Sequence, residues 1–180
     1  ACIQVGRPQS NALGLLMKAM YPDDVYVLGG LAYEGPWESD GKPDLMRQAR
    51  KLVSLGVDGF KMFEGKPGVR RDLGQALDGP MYEEFFAYVE EIGLPILWHV
   101  ADPPEFWDAD KAPEFARRNG WTYTDGSYPT REQLYDETRR VIERHPELKV
   151  IFAHFRFHSD DVERAGRFLD DHPTACFDIT

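Results

Sequence analysis

Several features are scarce in this chain, and each scarcity removes a class of function. No apolar run approaches the roughly 20 residues that a membrane helix needs, so the membrane is not an expected partner. Cysteine occurs only as Cys2 and Cys176, at opposite ends of 180 residues, and two such residues make no disulfide framework. No secretion signal opens the stretch, and the expected compartment is a reducing cytoplasm. No Gly-x-Gly-x-x-Gly follows an apolar run and there is no P-loop, so the common phosphate-cradling turns are absent. Positive charge is short too: 21 Lys and Arg stand against 31 Asp and Glu, for a formal net charge of -10 and no basic cluster. Such a surface repels phosphate backbones, which argues against nucleic acid as a partner.

What is present fits one domain over residues 1–180, with 42% hydrophobic residues and enough chain for a sizeable core. Short apolar runs read as strands at 25–31, 57–63, 94–100, 149–154 and 174–180, and residues 1–6 read as the tail of another. Helical patterns separate them. Residues 11–20 carry Leu13, Leu16, Met17 and Met20 at helical spacing. A second helix starts at Pro43-Asp44 and stops at Gly56, and a third runs from Gly79-Pro80 to Gly93. Thr130-Arg131-Glu132-Gln133 is a capping box, its helix ending at His145-Pro146, and 159–169 is the last helix. Residues 65–78 read as a basic, glycine-rich loop, and 101–129 as a long irregular one rich in aromatics. Strand and helix alternate throughout. Nearly continuous apolar strands of this kind are buried on both faces, as in parallel α/β proteins. A partial (β/α)8 TIM barrel is the expected fold, because the strand ends carry polar groups where a doubly wound protein would carry a phosphate loop.

Parallel strands place their C-terminal ends at one mouth, and two of them end in histidine, His99 and His154. Period-two alternation puts His99 on the face of Leu97, and His154 on the face of Phe152. Neutral imidazoles suit zinc, manganese or iron, and a catalytic ion needs three or four protein ligands with a position left open. Two are short of a set, and each could instead be a hydrogen-bonded interior histidine. Lys61, placed near its strand's end with Glu64, either holds a substrate carboxylate, is carboxylated to bridge two metals, or is an interior lysine paired with Glu64. Asp102 either orients a ligand histidine or serves the turn before Pro103-Pro104. His158 either touches substrate or begins a helix, while His145 and His172 read as helix stops. Trp107 and the other aromatics of the long loop cover substrate or pack on one another, and Arg156 is a further candidate for a substrate carboxylate.

Gly59-Phe60-Lys61-Met62, Pro95-Ile96-Leu97-Trp98-His99, the run from His145 to Phe155 and the closing Phe177-Asp178-Ile179-Thr180 resemble the amidohydrolase-related branch of the metal-dependent amidohydrolase superfamily. The resemblance runs from about Val25 to Thr180. It implies a distorted (β/α)8 barrel with a divalent metal ion, zinc first and manganese or iron as alternatives. It also implies that His99 and His154 are the histidines of the fifth and sixth strands, so that the chain covers about strands three to seven. The family's His-x-His pair does not occur here, and its general-base aspartate belongs to an eighth strand, so it is not carried onto Asp178. Phe155-Arg156-Phe157 stand where many relatives have glycines. The expectation is an internal stretch of a longer enzyme, a hydrolase that opens amide, ester or lactone bonds of a small organic substrate through metal-activated water. Decarboxylation of a small carboxylic acid is the first alternative. A non-catalytic ligand-binding barrel is the second, and an inactive fragment, possible as a homo-oligomer, the third.

Overall fold

Six apolar runs become the strands of one parallel sheet. The computed structural model describes residues 2–5, 7–34, 38–39 and 42–179. In chain order β1 is Cys2–Val5 and β2 is Val25–Gly30, and a short antiparallel pair follows, β3 (Glu38–Ser39) with β4 (Lys42–Pro43). Then come β5 (Gly59–Gly65), β6 (Ile96–Val100), β7 (Val150–Phe152) and β8 (Ala175–Phe177). The sheet order is β1-β2-β5-β6-β7-β8, so each strand lies beside the strand of this sheet that precedes it in the chain. A doubly wound sheet reverses its order at a switch point; this one never does, which makes it the arc of a β/α barrel. Five strands were expected. The tail at the start is itself paired, Cys2 to Val5 against Val25 to Leu28, and gives the arc its sixth.

The helices are α1 (Asn11–Met20), α2 (Leu45–Ser54), α3 (Pro67–Leu73), α4 (Pro80–Ile92), α5 (Glu114–Arg118), α6 (Arg131–Arg144) and α7 (Val162–Asp171). Their ends follow local chemistry. The Asp44 carboxylate accepts the Arg47 N–H at the start of α2, and Thr130 and Gln133 form the capping box of α6. Gly93, at φ 67°, closes α4. Helix α3 lies where the composition read as loop: Pro67 opens it and Gly74, at φ 63°, ends it after seven residues, too few to show a periodic pattern. None of the described helices is long and apolar enough to cross a membrane.

Alternation along the strands divides two environments. Ile96, Trp98 and Val100 of β6 are buried toward the helices, where Trp98 meets Phe86 of α4 at 5.3 Å between ring centroids. Phe152 of β7 joins them, 6.2 Å from Trp98 and 5.5 Å from Phe168 of α7. The register aligns Lys61, Leu97 and Ile151 across β5, β6 and β7 on the other face, the barrel interior. Six strands fill that interior only in part: Tyr26 is 49% exposed and Cys176 is exposed.

Strand β5 shifts register against β6 between Met62 and Gly65, next to His99. A Cβ at Gly65 would lie 2.3 Å from the His99 carbonyl oxygen and 2.9 Å from the Val100 Cα, both backbone atoms. Gly65→Ala is therefore expected to push the strands apart and destabilise the fold by about 1–3 kcal/mol. Urea denaturation checks this. An unchanged midpoint would mean that β5 and β6 separate freely at that point.

Candidate functional site

His99 is the penultimate residue of β6, with its side chain on the interior face, opposite to Trp98. Its Nε2 lies 3.2 Å from Asp102 Oδ1, and the other oxygen of that carboxylate accepts the Tyr123 hydroxyl at 2.5 Å, with Lys66 Nζ 3.9 Å away. Asp102 is buried, and the chain reaches it through Ala101 at φ 66°, a left-handed residue that turns the backbone back toward His99. Asp102 both follows the turn at Ala101 and contacts the His99 ring. A carboxylate partner makes Nε2 the donor, so the Nδ1 lone pair is the one available to a ligand. Burial pulls the His99 pKa below the usual histidine value, more than Asp102 raises it, and the neutral form is the one a metal requires.

His154 arrives by a different route from the one alternation predicts. Strand β7 stops at Phe152, and residues 154 to 157 all take left-handed φ values of 57°, 53°, 52° and 52°. No glycine is among them, so each costs about 1–2 kcal/mol of backbone strain. Asp178 holds the turn: its Oδ1 accepts the His154 N–H at 2.7 Å, its carbonyl accepts the Phe155 N–H at 2.7 Å, and its own N–H donates to the Phe152 carbonyl at 3.0 Å. The turn carries His154 away from the face of Phe152 and sets its ring edge-on to His99, 5.2 Å between centroids. Phe157 lies against both, at 5.4 and 5.5 Å. Strain held this firmly at a strand end is characteristic of functional sites.

Lys61 is the third residue of β5 rather than its last, level with Leu97 and so one layer below His99. Its ammonium lies 4.6 Å from the Phe63 ring. Burial pulls its pKa down to about 8 against the opposing pull of Asp178 and then Glu64. Glu64 is not its ion-pair partner. The Glu64 carboxylate accepts the Tyr33 hydroxyl at 2.7 Å, and burial pushes its pKa up.

Residues 16–180 match the family described as Amidohydrolase. The chain belongs to the amidohydrolase family. Among solved structures it resembles an uncharacterized TIM-barrel protein from Bordetella bronchiseptica, at 17% identity and a TM-score of 0.62, over 98% of this chain and 53% of that one. It resembles 4-oxalomesaconate hydratase from Rhodopseudomonas palustris at 16% identity and a TM-score of 0.59, over 96% and 49%. A third is 5-carboxyvanillate decarboxylase from Novosphingobium aromaticivorans, solved with manganese and 4-hydroxy-3-methoxy-5-nitrobenzoic acid: 16% identity, TM-score 0.53, over 91% and 43%. Identities this low show the shared barrel alone. The chain spans about half the length of these structures. No curated protein matches it.

Three other candidate residues of this chain lie apart from the histidine pair. Trp107 belongs to a small core inside the long loop, its indole N–H donating to the Pro129 carbonyl at 3.0 Å and its ring 4.8 Å from Tyr123. The loop's aromatics pack on one another. Arg156 and His158 are carried by the left-handed turn to the helix side of the sheet. There Arg156 donates to the Tyr135 carbonyl at 3.2 Å and to Thr138 Oγ1 at 2.7 Å, and the His158 ring lies 4.7 Å from Tyr135. Burial pulls Arg156 down to about 9, and burial followed by the guanidiniums of Arg156, Arg164 and Arg131 pulls His158 down to about 4. Neither faces the mouth. The contacts of Tyr123 and Lys66 with Asp102, and the pinning contacts of Asp178, went unread because all of them act across long separations in the chain.

Proposed function

We propose that this chain carries two ligands, His99 and His154, of a divalent-metal site that acts on a small organic substrate within the single barrel domain 1–180. The supporting observation is the pair itself: two imidazoles side by side at neighbouring strand ends, one fixed from behind by a buried carboxylate. Among the described residues no cluster of three or more His, Cys, Asp or Glu forms a complete metal site, so the pair fits part of a ligand set. Zinc and manganese both accept imidazole, and an ion bound there would supply Lewis-acid polarisation of a carbonyl or carboxylate. The residues around it divide the remaining work. Asp102 keeps Nδ1 of His99 directed outward, Asp178 sets the backbone that presents His154, and Lys61 offers a cation on the interior face for a substrate carboxylate.

Two reactions suit this arrangement. Hydrolysis of an amide, ester or lactone needs a general base for the attacking water, expected from the aspartate of an eighth strand. Decarboxylation needs no such base, and the buried Lys61 ammonium favours it, because a substrate carboxylate can pair with it before carbon dioxide leaves. Product analysis separates them. Protein supplied with manganese or zinc is incubated with lactones and esters in one set and aromatic carboxylic acids in another, reading acid release against carbon dioxide release. Absence of metal-dependent turnover in both sets, together with absence of metal retention, would end the proposal.

The orienting contact has its own consequence. Asp102→Asn is expected to weaken metal binding by about 10–100-fold while leaving both histidines in place. Competition against a chelating dye measures it. Unchanged affinity would mean that Asp102 serves only to anchor Tyr123 and the long loop.

A further inference from the structure

A cavity of about 490 Å³ opens at the barrel mouth beside the ends of β1, β2 and β5, lined by Leu31, Tyr33, Phe63 and Val69 and by two cations, Arg7 and Lys66. Phe63 joins it to the histidine pair: its ring is met by the Arg7 guanidinium at 5.8 Å, by the Lys61 ammonium at 4.6 Å and by the His99 ring at 6.5 Å between centroids. Both cavity cations lack a full partner. Arg7 is exposed, and no carboxylate among the described residues pairs with its guanidinium. Lys66 lies 4.2 Å from the Trp121 ring with 25% of its side chain exposed, and its ammonium donates no hydrogen bond to any described residue. The carboxylate that approaches it, Asp102, is 3.9 Å away, beyond hydrogen-bond reach, and both oxygens of Asp102 are engaged by His99 and Tyr123. The two carboxylates of the lining leave both cations open. Glu64 accepts the Tyr33 hydroxyl and burial pushes its pKa up, while Glu34 is exposed and pairs with neither.

The chemistry of the lining indicates the ligand. A guanidinium recognises a carboxylate through two parallel N–H donors, an ammonium adds a point charge, and both act most strongly where an apolar wall excludes water. Leu31, Phe63 and Val69 supply that wall beside the cations, as in sites that take small organic molecules. We infer that this cavity binds the carboxylate of a small organic acid through Arg7 and Lys66 and directs the rest of the molecule past Phe63 toward the histidine pair. That the other end of the molecule meets a metal ion rests on the proposal above; the carboxylate contacts do not. Lys61 is buried a layer below His99 and serves the interior end of the acid, whereas Arg7 and Lys66 are accessible and serve the end at the opening.

The test is calorimetric titration with isophthalate, an aromatic ring bearing two carboxylates, at constant ionic strength, for the unaltered chain and three variants. Each is titrated once with manganese supplied and once after the metal has been removed by dialysis. Isophthalate is expected to bind saturably in both conditions, and isophthalamide, the same ring without charge, in neither. Arg7→Gln and Lys66→Gln each remove a cation that no described residue bonds, so both should fold as the unaltered chain does and bind isophthalate at least about tenfold more weakly, with metal or without it. Lys111→Gln removes an exposed positive charge paired with Asp108, away from the cavity, and should change nothing. Metal dependence reports on the other end of the acid alone: isophthalate binding that responds to Arg7 and Lys66 but not to manganese supports the inference while counting against the metal-site proposal. The inference is overturned by no saturation below about 10 mM, by equal binding of isophthalamide, by unchanged affinity in Arg7→Gln and Lys66→Gln, or by an equal loss in Lys111→Gln, which would reduce the attraction to net charge.

Discussion

His99→Ala and His154→Ala are each expected to abolish stoichiometric metal retention and to lower metal-dependent turnover by about 1000-fold, the kinetic equivalent of several kcal/mol of lost Lewis-acid stabilisation. The two should not add. Both act through one ion, so the double variant should be scarcely worse than either single one. Their structural effects differ. His99→Ala removes one of the contacts of a buried carboxylate that still has Tyr123 and Lys66, a loss of about 1 kcal/mol. His154→Ala leaves the left-handed turn pinned, because Asp178 accepts the backbone N–H of residue 154. Elemental analysis beside a turnover assay checks the prediction. Metal retained at wild-type level in both variants would make the pair structural, and the family's chemistry could not then be assigned to these residues.

How far the site could be read from the sequence depended on which residues set each feature. Helix α6 was legible because Thr130, Gln133 and the stop at His145-Pro146 lie within its own span. The parallel barrel arc was legible because β7 is apolar throughout, β6 is apolar up to His99, and both follow helices. The face occupied by His154 was not. Period two assigns it to the side of Phe152, and that rule holds only while the chain remains a strand, whereas the strand ends at Phe152. What replaces it is four left-handed residues held by Asp178, 24 positions further on, a contact that no local pattern announces. The same turn explains the glycines expected at these positions from the family resemblance, since positive φ is where glycine carries no penalty. It also reverses the placement of Arg156 and His158, which proximity in sequence put at the mouth and the turn puts behind the sheet. Lys61 shows a smaller error of the same kind. The strand continues to Gly65, so its charge sits a layer deeper than an end residue would.

Trp98 stands one residue before His99, and its replacement should produce the opposite phenotype. Trp98→Ala is expected to destabilise the fold by about 3–5 kcal/mol, a large part of the roughly 5–15 kcal/mol that holds a domain folded. The indole is fully buried between Phe86 and Phe152, at 5.3 and 6.2 Å, where its loss empties the centre of the layer that joins β6 to α4 and α7. Its N–H has no partner among the described residues, so truncation strands no acceptor and the whole effect is packing. At a typical urea dependence the denaturation midpoint should fall by about 2 M. The fraction that remains folded should still hold metal, because His99 is positioned from the interior side by Asp102 rather than by the ring behind it. Measuring the urea midpoint and the metal content on the same sample separates the two sides of the strand. Loss of metal at unchanged stability would show instead that the helix-side packing of Trp98 fixes the orientation of His99, and that the Asp102 contact is secondary.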